Sequence, residues 1–225
     1  MINIKTYILH YKKLSERKNF IEKQFKKYFS NYEYYEDFDK DELTDDLVQK
    51  CYNPDKDTQF KKLQLWSSQN HGSVRLLNPA EISVSIKHGK VIELISKRED
   101  EIAFIFEDDV VLCEDFETKF NEYFDKTPKD FDVVFIGSGA NLKPHNVQQG
   151  KVVYKREHPA SRCADSYLLS KKAATQINST YFPFSICSDW ELAYQMYAHN
   201  QTVYWWEPSL VLQGSEHGLF KSTLR

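Results

Sequence analysis

Residues 102–112 read Ile-Ala-Phe-Ile-Phe-Glu-Asp-Asp-Val-Val-Leu, and this stretch decides the expected fold. Its five apolar residues, Ile102 to Phe106, are typical of a strand that is buried on both faces, as in a parallel sheet. Three carboxylates follow at once: Glu107, Asp108 and Asp109. Two carboxylates about 5 Å apart repel each other by roughly 3 kcal/mol at an effective dielectric constant of about 20. Either the side chains spread into solvent where the strand ends, or a divalent cation such as Mg²⁺ or Mn²⁺ lies among them.

Length and composition predict one ordinary α/β domain that spans residues 1–225. The formal net charge of −3 argues against a general binder of nucleic acid or of membrane surfaces. We expect no integral membrane segment and no signal peptide, because no apolar run is long enough for either. The cysteines form no C-x-x-C pair, which predicts reduced thiols and a cytoplasmic protein: Cys51, Cys113, Cys163 and Cys187.

Apolar runs alternate with helical segments from the N-terminus onward. Lys5 to His10 is a short strand candidate, and a charged helical segment follows it. No glycine-rich loop joins the two, so neither a dinucleotide fingerprint nor a P-loop is present. The polar stretch at about 40–77 predicts a variable connection with short helices, and the polar tail at about 213–225 predicts a mobile segment.

Asn78-Pro79-Ala80-Glu81 is the clearest helix start in the chain. Asn78 suits the N-cap, Pro79 the first helical position, and Glu81 completes a capping box. The predicted helix runs to about Lys97 and carries His88 on the same face as its isoleucines. His88 is either a hydrogen-bonded histidine packed under the sheet or a contact to a ligand.

The second half of the chain repeats this alternation. The predicted elements are a helix at 116–124, a strand at 131–136 ending in Gly137-Ser138-Gly139, a helix from about Lys171 capped by Ser170, a helix from Asp189 onward and a strand at 203–208.

Taken together, these stretches resemble glycosyltransferase family 25, the lipooligosaccharide and collagen sugar transferases. The resemblance runs from Tyr7 to the C-terminus with a gap at about 40–75. One departure is His10-Tyr11, where the family usually has Asn-Leu. The elements that carry it are Tyr-Ile-Leu at 7–9 followed by Arg17, Asn-Pro-Ala-Glu-Ile at 78–82 with Ser85 and His88, Ile-Phe-Glu-Asp-Asp-Val at 105–110, Phe-Asp-Val-Val-Phe-Ile-Gly at 131–137, Ser-Tyr-Leu-Leu-Ser-Lys-Lys-Ala-Ala at 166–174, Ser-Asp-Trp-Glu-Leu at 188–192 and Pro-Ser-Leu-Val-Leu-Gln at 208–213.

The resemblance implies the GT-A fold, an α/β sandwich with a Rossmann-like nucleotide half. It implies that Asp109 binds Mn²⁺ or Mg²⁺, which bridges to the diphosphate of a UDP-sugar. Glu107 would share the metal or reach the ribose, and His217 would be a further metal ligand from the tail. The remaining residues expected at the sugar donor are Asp108, Arg17, His88 and Lys221.

The resemblance also implies an inverting transfer of a hexose, galactose or glucose, to a hydroxyl of a glycan, a lipooligosaccharide or a protein-linked acceptor. Such a reaction needs a carboxylate that takes the proton from the acceptor hydroxyl. Asp189 is the first choice, because it matches the acidic position of the family element and precedes a helix whose dipole keeps it ionised. Glu191 and Asp165 are the other candidates.

Two other functions fit an acidic strand end. One is a non-catalytic sugar- or nucleotide-binding domain of the same fold, which the intact Glu107-Asp108-Asp109 and Asp189 disfavour. The other is a metal-dependent phosphohydrolase, which would need an aspartate nucleophile or a second metal cluster; the sequence contains no His-x-His-Asp group or paired acidic motif. Preference for uridine would separate a transferase from a simple phosphohydrolase.

Overall fold

A computed structural model describes residues 1–65, 74–157 and 162–222. In these ranges seven strands form one mixed sheet in the order β2-β1-β3-β7-β5-β8-β6, and β4 and β9 form a small antiparallel pair. The strands are β1 Lys5–Leu9, β2 Tyr32–Tyr35, β3 Ile102–Glu107, β4 Val110–Leu112, β5 Val133–Phe135, β6 Val153–Arg156, β7 Ser166–Ser170, β8 Val203–Trp206 and β9 Val211–Gln213. The helices are α1 Ser15–Tyr28, α2 Asp45–Cys51, α3 Lys56–Leu63, α4 Pro79–Lys97, α5 Phe116–Lys126, α6 Lys171–Asn178 and α7 Ser188–Ala198. The predicted α/β class is confirmed.

The sheet is sandwiched between two layers of helices because its strands are apolar on both faces. In β3, Ala103 and Ile105 point into one core, while Phe104 and Phe106 point into the other. The first core receives α4, α6 and α7, and the second receives α1 and α5. Alternation along a strand sends neighbouring side chains to opposite faces, so a continuous apolar run is what a central strand of a three-layer fold requires.

Helix α4 begins as its sequence predicts. The Asn78 side chain accepts hydrogen bonds from the backbone N–H groups of Ala80 and Glu81, and Glu81 reaches back to the Asn78 backbone. Pro79 occupies the first helical position. This reciprocal cap satisfies N–H groups that the helix itself leaves unpaired, so the helix start is fixed locally.

The strand directions gather several loops at one edge of the sheet. Strands β1 and β3 are parallel, β7 runs antiparallel between β3 and β5, and β5 is parallel to β8. The carboxyl ends of β1, β3, β5 and β8 therefore meet the amino end of β7. Ligands of open α/β sheets bind at such an edge.

Two elements differ from the sequence prediction. Residues 166–170 form a strand inside the sheet, where the sequence pattern indicates only an approach to α6. Val211–Gln213 form β9, which pairs with β4 directly after the acidic residues. Parts of the predicted variable connection (66–73) and of the predicted tail (223–225) lie outside the described residues. No helix among the described residues is long and apolar enough to span a bilayer.

Candidate active site at the carboxyl edge of the sheet

Glu107 ends β3 and is held by His88 of α4. The Nε2 atom of His88 lies 3.3 Å from Glu107 Oε1, and its Nδ1 atom lies 3.0 Å from the Tyr167 hydroxyl. Burial lowers the pKa of His88 to about 4, so the ring is neutral at pH 7. Burial, and then the charges of Asp109 and Asp108, raise the pKa of Glu107. His88 is therefore both packed under the sheet and in contact with the acidic segment.

Asp108 is fully engaged with the loop after β1. Its Oδ1 atom accepts a hydrogen bond from Arg17 Nη1 at 2.6 Å, and its Oδ2 atom contacts His10 Nδ1 at 2.9 Å and the Tyr11 backbone N–H at 3.2 Å. Although burial alone would raise it, these hydrogen bonds and the Arg17 charge hold the pKa of Asp108 below its usual value. Asp108 and Arg17 thus neutralise each other and fix the floor of the site.

Asp109 lacks such a partner. The residue is buried, and its Oδ1 atom makes no hydrogen bond to any described residue. Ser215 hydrogen-bonds the carboxylate, yet burial still raises the pKa of Asp109. A buried carboxylate oxygen without a donor is costly, which makes this atom a candidate for contact with a cation.

Asp165 brings a further uncompensated carboxylate to the same edge. Neither of its oxygens has a hydrogen-bond partner in the described part of the chain. Burial, followed by the charges of Glu107 and Asp109, raises the pKa of Asp165 well above its usual value. A Cβ atom on Gly137 would lie 2.3 Å from Asp165 Oδ1, so only glycine at the end of β5 leaves room for this side chain.

Asp189 stands in the first turn of α7, where its Oδ1 atom accepts a hydrogen bond from the Ala164 backbone N–H at 2.6 Å. Burial, and then the charge of Glu107, raise the pKa of Asp189 to about 6. The carboxylate is therefore mostly ionised at pH 7 but has a higher proton affinity than an ordinary aspartate. That combination suits a group that must accept a proton near neutral pH.

Glu191 is enclosed instead of facing a cleft. Its side chain is 0% exposed, and both oxygens contact Lys62 Nζ, at 2.6 and 2.7 Å. The backbone N–H of Ser185 and the amide of Gln195 also donate to it. Glu191 is therefore part of a structural ion pair that joins α3 and α7.

Two clefts lie on either side of the C-terminal segment. The first, of about 690 Å³, is lined by Glu107, Asp108 and Asp109 together with the basic residues Arg17, Lys40 and Lys87. The second, of about 1830 Å³, is lined by Asp189, His217 and Glu216, among others. Gln213, Ser215 and Ser222 line both clefts, so the C-terminal segment forms the wall between them.

The C-terminal segment docks on α1. Arg17 Nη2 donates to the Lys221 carbonyl at 2.7 Å, and its guanidinium lies over the Phe220 ring, which also meets Phe20 edge to face. The Lys221 side chain and His217 are exposed. Among the described residues no three His, Cys, Asp or Glu side chains converge as a ready cation site, so His217 does not meet Glu107 and Asp109 in this arrangement.

Sequence reasoning singled out the acidic residues but missed several of their neighbours. His10 and Lys87 were not candidates, although His10 holds Asp108, and Lys87 Nζ contacts both the His10 carbonyl and Asp39 Oδ1. Two signals pointed to His10: it follows β1 directly, at the edge where the strand ends converge, and His10-Tyr11 stands where the family usually has Asn-Leu. A weaker sequence signal indicated the role of Gly137, namely that this glycine stands at the end of a predicted strand.

The charge on Asp189 predicts a pH-dependent stability. Its folded pKa of about 6 lies above the usual 3.8, so the folded state binds more protons than the unfolded state between these pH values. The free energy of unfolding should therefore fall as the pH rises through this window and stay lower above it. Asp189→Asn removes this dependence and should stabilise the protein above the window by about 1 to 3 kcal/mol. Urea unfolding of both proteins across the window measures the difference, and parallel curves would contradict the assignment.

Both the sequence and the fold of the chain resemble known proteins. The sequence matches the model of the family described as Glycosyltransferase family 25 (LPS biosynthesis protein) over residues 3–189. No curated protein sequence matches the chain.

Several solved structures resemble the chain at a distance. A197 from STIV is 12% identical, with a TM-score of 0.45 over 94% of this chain and 83% of that one. S. aureus TarS 1-349 is 13% identical, with a TM-score of 0.45 over 95% of this chain and 61% of that one. Mouse xyloside xylosyltransferase 1 in its apo form is 10% identical, with a TM-score of 0.40 over 90% and 84%.

Proposed function

The chain belongs to glycosyltransferase family 25 and is a glycosyltransferase, and from that premise we propose that it transfers a hexose from a UDP-sugar to a hydroxyl group, with inversion and with the help of a divalent cation. Galactose and glucose are the proposed sugars, and a glycan, lipooligosaccharide or protein-linked sugar is the proposed acceptor. The observation that carries this proposal is the division of the acidic residues. Glu107 and Asp109 line the first cleft, whereas Asp189 lines the second.

The first cleft suits the diphosphate of the sugar donor. Arg17, Lys40 and Lys87 line its walls beside the acidic residues and offer N–H donors to phosphate oxygens. Lys87 is itself buried against Asp39, and Arg17 is paired with Asp108, so both are held in fixed positions. Fixed cationic groups stabilise phosphate charge without having to reorganise during the reaction.

The residues at the end of β3 also fit a divalent cation. The Asp109 Oδ1 atom, which has no hydrogen-bond partner among the described residues, and the nearby Glu107 offer hard oxygen ligands, and the charge of Arg17, itself paired with Asp108, offsets them only in part. Mg²⁺ is usually held by one or two carboxylates together with substrate phosphates, so a complete protein cage is not required. Asp109 and Glu107 would hold the ion, which supplies charge neutralisation for the departing UDP. His217 stays a proposed further ligand.

The second cleft suits the acceptor. Asp189 is ionised at pH 7 and has a raised proton affinity, so it can take the proton of an acceptor hydroxyl that binds there. The Ala164 N–H holds its Oδ1 atom, which fixes the orientation of the carboxylate. Asp165 is a reserve candidate for the same role, but it lines neither cleft. A cytoplasmic location belongs to this proposal, supported by the four free cysteines.

The metal and sugar-donor roles are tested with Asp109→Asn. We expect the parent to bind UDP in the presence of Mn²⁺ and to lose more than about tenfold in affinity, about 1.4 kcal/mol, when EDTA is added. Asp109→Asn should bind weakly in both conditions, because its amide is a poor cation ligand. Isothermal calorimetry measures both affinities.

The matched control is Asp125→Asn, which changes an exposed aspartate on α5. It should behave like the parent in both conditions. Equal UDP affinity of the parent with Mn²⁺ and with EDTA would refute metal dependence. Equal preference for UDP and for simple phosphates would refute the nucleotide-sugar assignment.

A further inference from the structure

A separate pocket lies beside the first turn of α7. It has a volume of about 390 Å³ and lies between α3, residues 75–77 and the start of α7. We call it the side pocket and define it by Gln59, Leu63, Arg75, Leu77, Ser185 and Trp190. None of these residues lines either cleft of the proposed active site.

The frame of the side pocket is rigid. Lys62 and Glu191 form a buried ion pair that ties α3 to α7 beneath it. The Gln59 side chain accepts from the Arg75 backbone N–H at 3.0 Å and donates to the Arg75 carbonyl at 3.1 Å. The Arg75 guanidinium binds Glu81 through both of its terminal nitrogens. These contacts hold the described walls of the pocket in place relative to one another.

Its lining combines apolar walls with a polar group that has no hydrogen-bond partner among the described residues. Leu63, Leu77 and the Trp190 ring provide the apolar surface. Ser185 is completely buried, and its hydroxyl has no hydrogen-bond partner in the described part of the chain. A buried hydroxyl without a hydrogen-bond partner destabilises the folded state. A ligand that supplies a hydroxyl group to Ser185 would remove this cost.

The charges of the pocket disfavour an ionic ligand. Arg75 is already neutralised by Glu81, and Glu191 by Lys62. The Arg75 contacts to described residues use three of its five N–H donors, which leaves donors for neutral hydroxyl oxygens. A flat apolar face bordered by hydroxyl groups is the surface of a pyranose ring, and such a face packs on an aromatic side chain.

The first turn of α7 connects this pocket to the proposed chemistry. Asp189 lines the second cleft, and the next residue, Trp190, lines the side pocket. Their Cα atoms are about 3.8 Å apart, as in any trans peptide. We propose that the side pocket binds a pyranose ring of the acceptor, adjacent to the sugar whose hydroxyl reacts at Asp189. This inference rests on the proposed function for its biological meaning, but the binding itself can be measured without catalysis.

The test uses methyl pyranosides as probes, namely the α- and β-methyl glycosides of galactose, glucose and mannose. Saturation-transfer difference NMR of the whole chain should detect binding of at least one of them. Trp190→Leu should weaken this binding by at least about tenfold, which corresponds to loss of an aromatic contact of about 1.5 kcal/mol. Ser185→Ala should weaken it by about 2- to 10-fold, as expected for one hydroxyl hydrogen bond.

Phe60→Leu is the matched control, because Phe60 is an exposed aromatic residue of α3 that does not line the pocket. It should bind the probe like the parent. If Trp190→Leu does not fold, Ser185→Ala and Arg75→Gln carry the test. Absence of saturation transfer from all probes, or equal binding by the parent and both pocket variants, would overturn the inference.

UDP binding with Mn²⁺, measured on the same samples, separates the two proposals. Loss of probe binding with intact UDP binding in the pocket variants supports the side pocket as an independent subsite. A parent that binds a pyranoside at Trp190 but does not bind UDP would keep the side pocket and refute the proposed sugar donor. Loss of UDP binding in Ser185→Ala would overturn the subsite, because the variant would then act through the active site or the fold.

Discussion

Asp189→Asn should slow sugar transfer by about 10²- to 10⁴-fold, the usual contribution of a general base. The asparagine keeps the size of the side chain, and its carbonyl can still accept the Ala164 N–H, but it cannot take a proton. UDP binding should barely change, since Asp189 lines the second cleft and not the first. Single-turnover transfer and UDP calorimetry on the same variant measure the two effects. Slower transfer together with the expected gain in stability would show that Asp189 serves the reaction although it lowers the stability of the folded state.

Asp109→Asn provides the opposite pattern and completes the comparison. It should lose UDP binding and metal dependence together, whereas Asp189→Asn should lose only the transfer step. A rate near that of the parent for Asp189→Asn would refute Asp189 as the base and make Asp165 the next residue to test, because neither of its oxygens has a hydrogen-bond partner in the described part of the chain. Loss of UDP binding in Asp189→Asn would show that the residue belongs to the sugar-donor site.

Lys62→Met should lower the free energy of unfolding by about 3–5 kcal/mol, because it leaves the charge of Glu191 buried without its cation. Both Glu191 oxygens lie within 2.7 Å of Lys62 Nζ, and Glu191 is fully buried. Chemical denaturation at pH 7 measures the loss. Lys61→Met is the control, since Lys61 is the exposed neighbour on the same helix and should change stability by less than about 0.5 kcal/mol.

The double variant Lys62→Met with Glu191→Gln tests the cause of that loss. A neutral glutamine side chain at this position no longer needs a cation, so the double variant should recover a large part of the stability. If Lys62→Met is as stable as Lys61→Met, the ion pair is solvated in solution. If the double variant is less stable than Lys62→Met, packing and not charge accounts for the effect.

Local signals made much of the fold predictable. The capping box at Asn78 and Glu81 contains its own partners, so the start of α4 follows from four consecutive residues. The apolar run of β3 and the three carboxylates after it are equally local, and they identified the strand and the acidic edge. Ser170, which caps α6 as predicted, is another case in which donor and acceptor lie within one turn.

Contacts between distant residues were not predictable in the same way. Residues 166–170 contain no turn signal that would predict a strand. They form one only because they pair with both β3 and β5. Lys62 and Glu191 are 129 positions apart in the sequence. Sequence patterns therefore cannot distinguish a Glu191 that is enclosed in an ion pair from one that is accessible as a base. The same holds for Asp165: its packing against Gly137 and the absence of a hydrogen-bond partner for it among the described residues both depend on contacts that are distant in sequence.

On the ribosome, the seven-stranded sheet cannot assemble in the order in which its strands are made. Strands β2, β1 and β3 are neighbours in the sheet and are complete once residue 107 has emerged. Strand β5 then stays unpaired until both of its partners, β7 and β8, have been synthesised. Pairings this distant in sequence are slow, and unpaired apolar strands are prone to aggregate while they wait. The mutually repelling Glu107, Asp165 and Asp189 come together only after α7 has been synthesised. The nascent chain therefore contains most of its core residues before it has to confine the negative charge of the candidate active site.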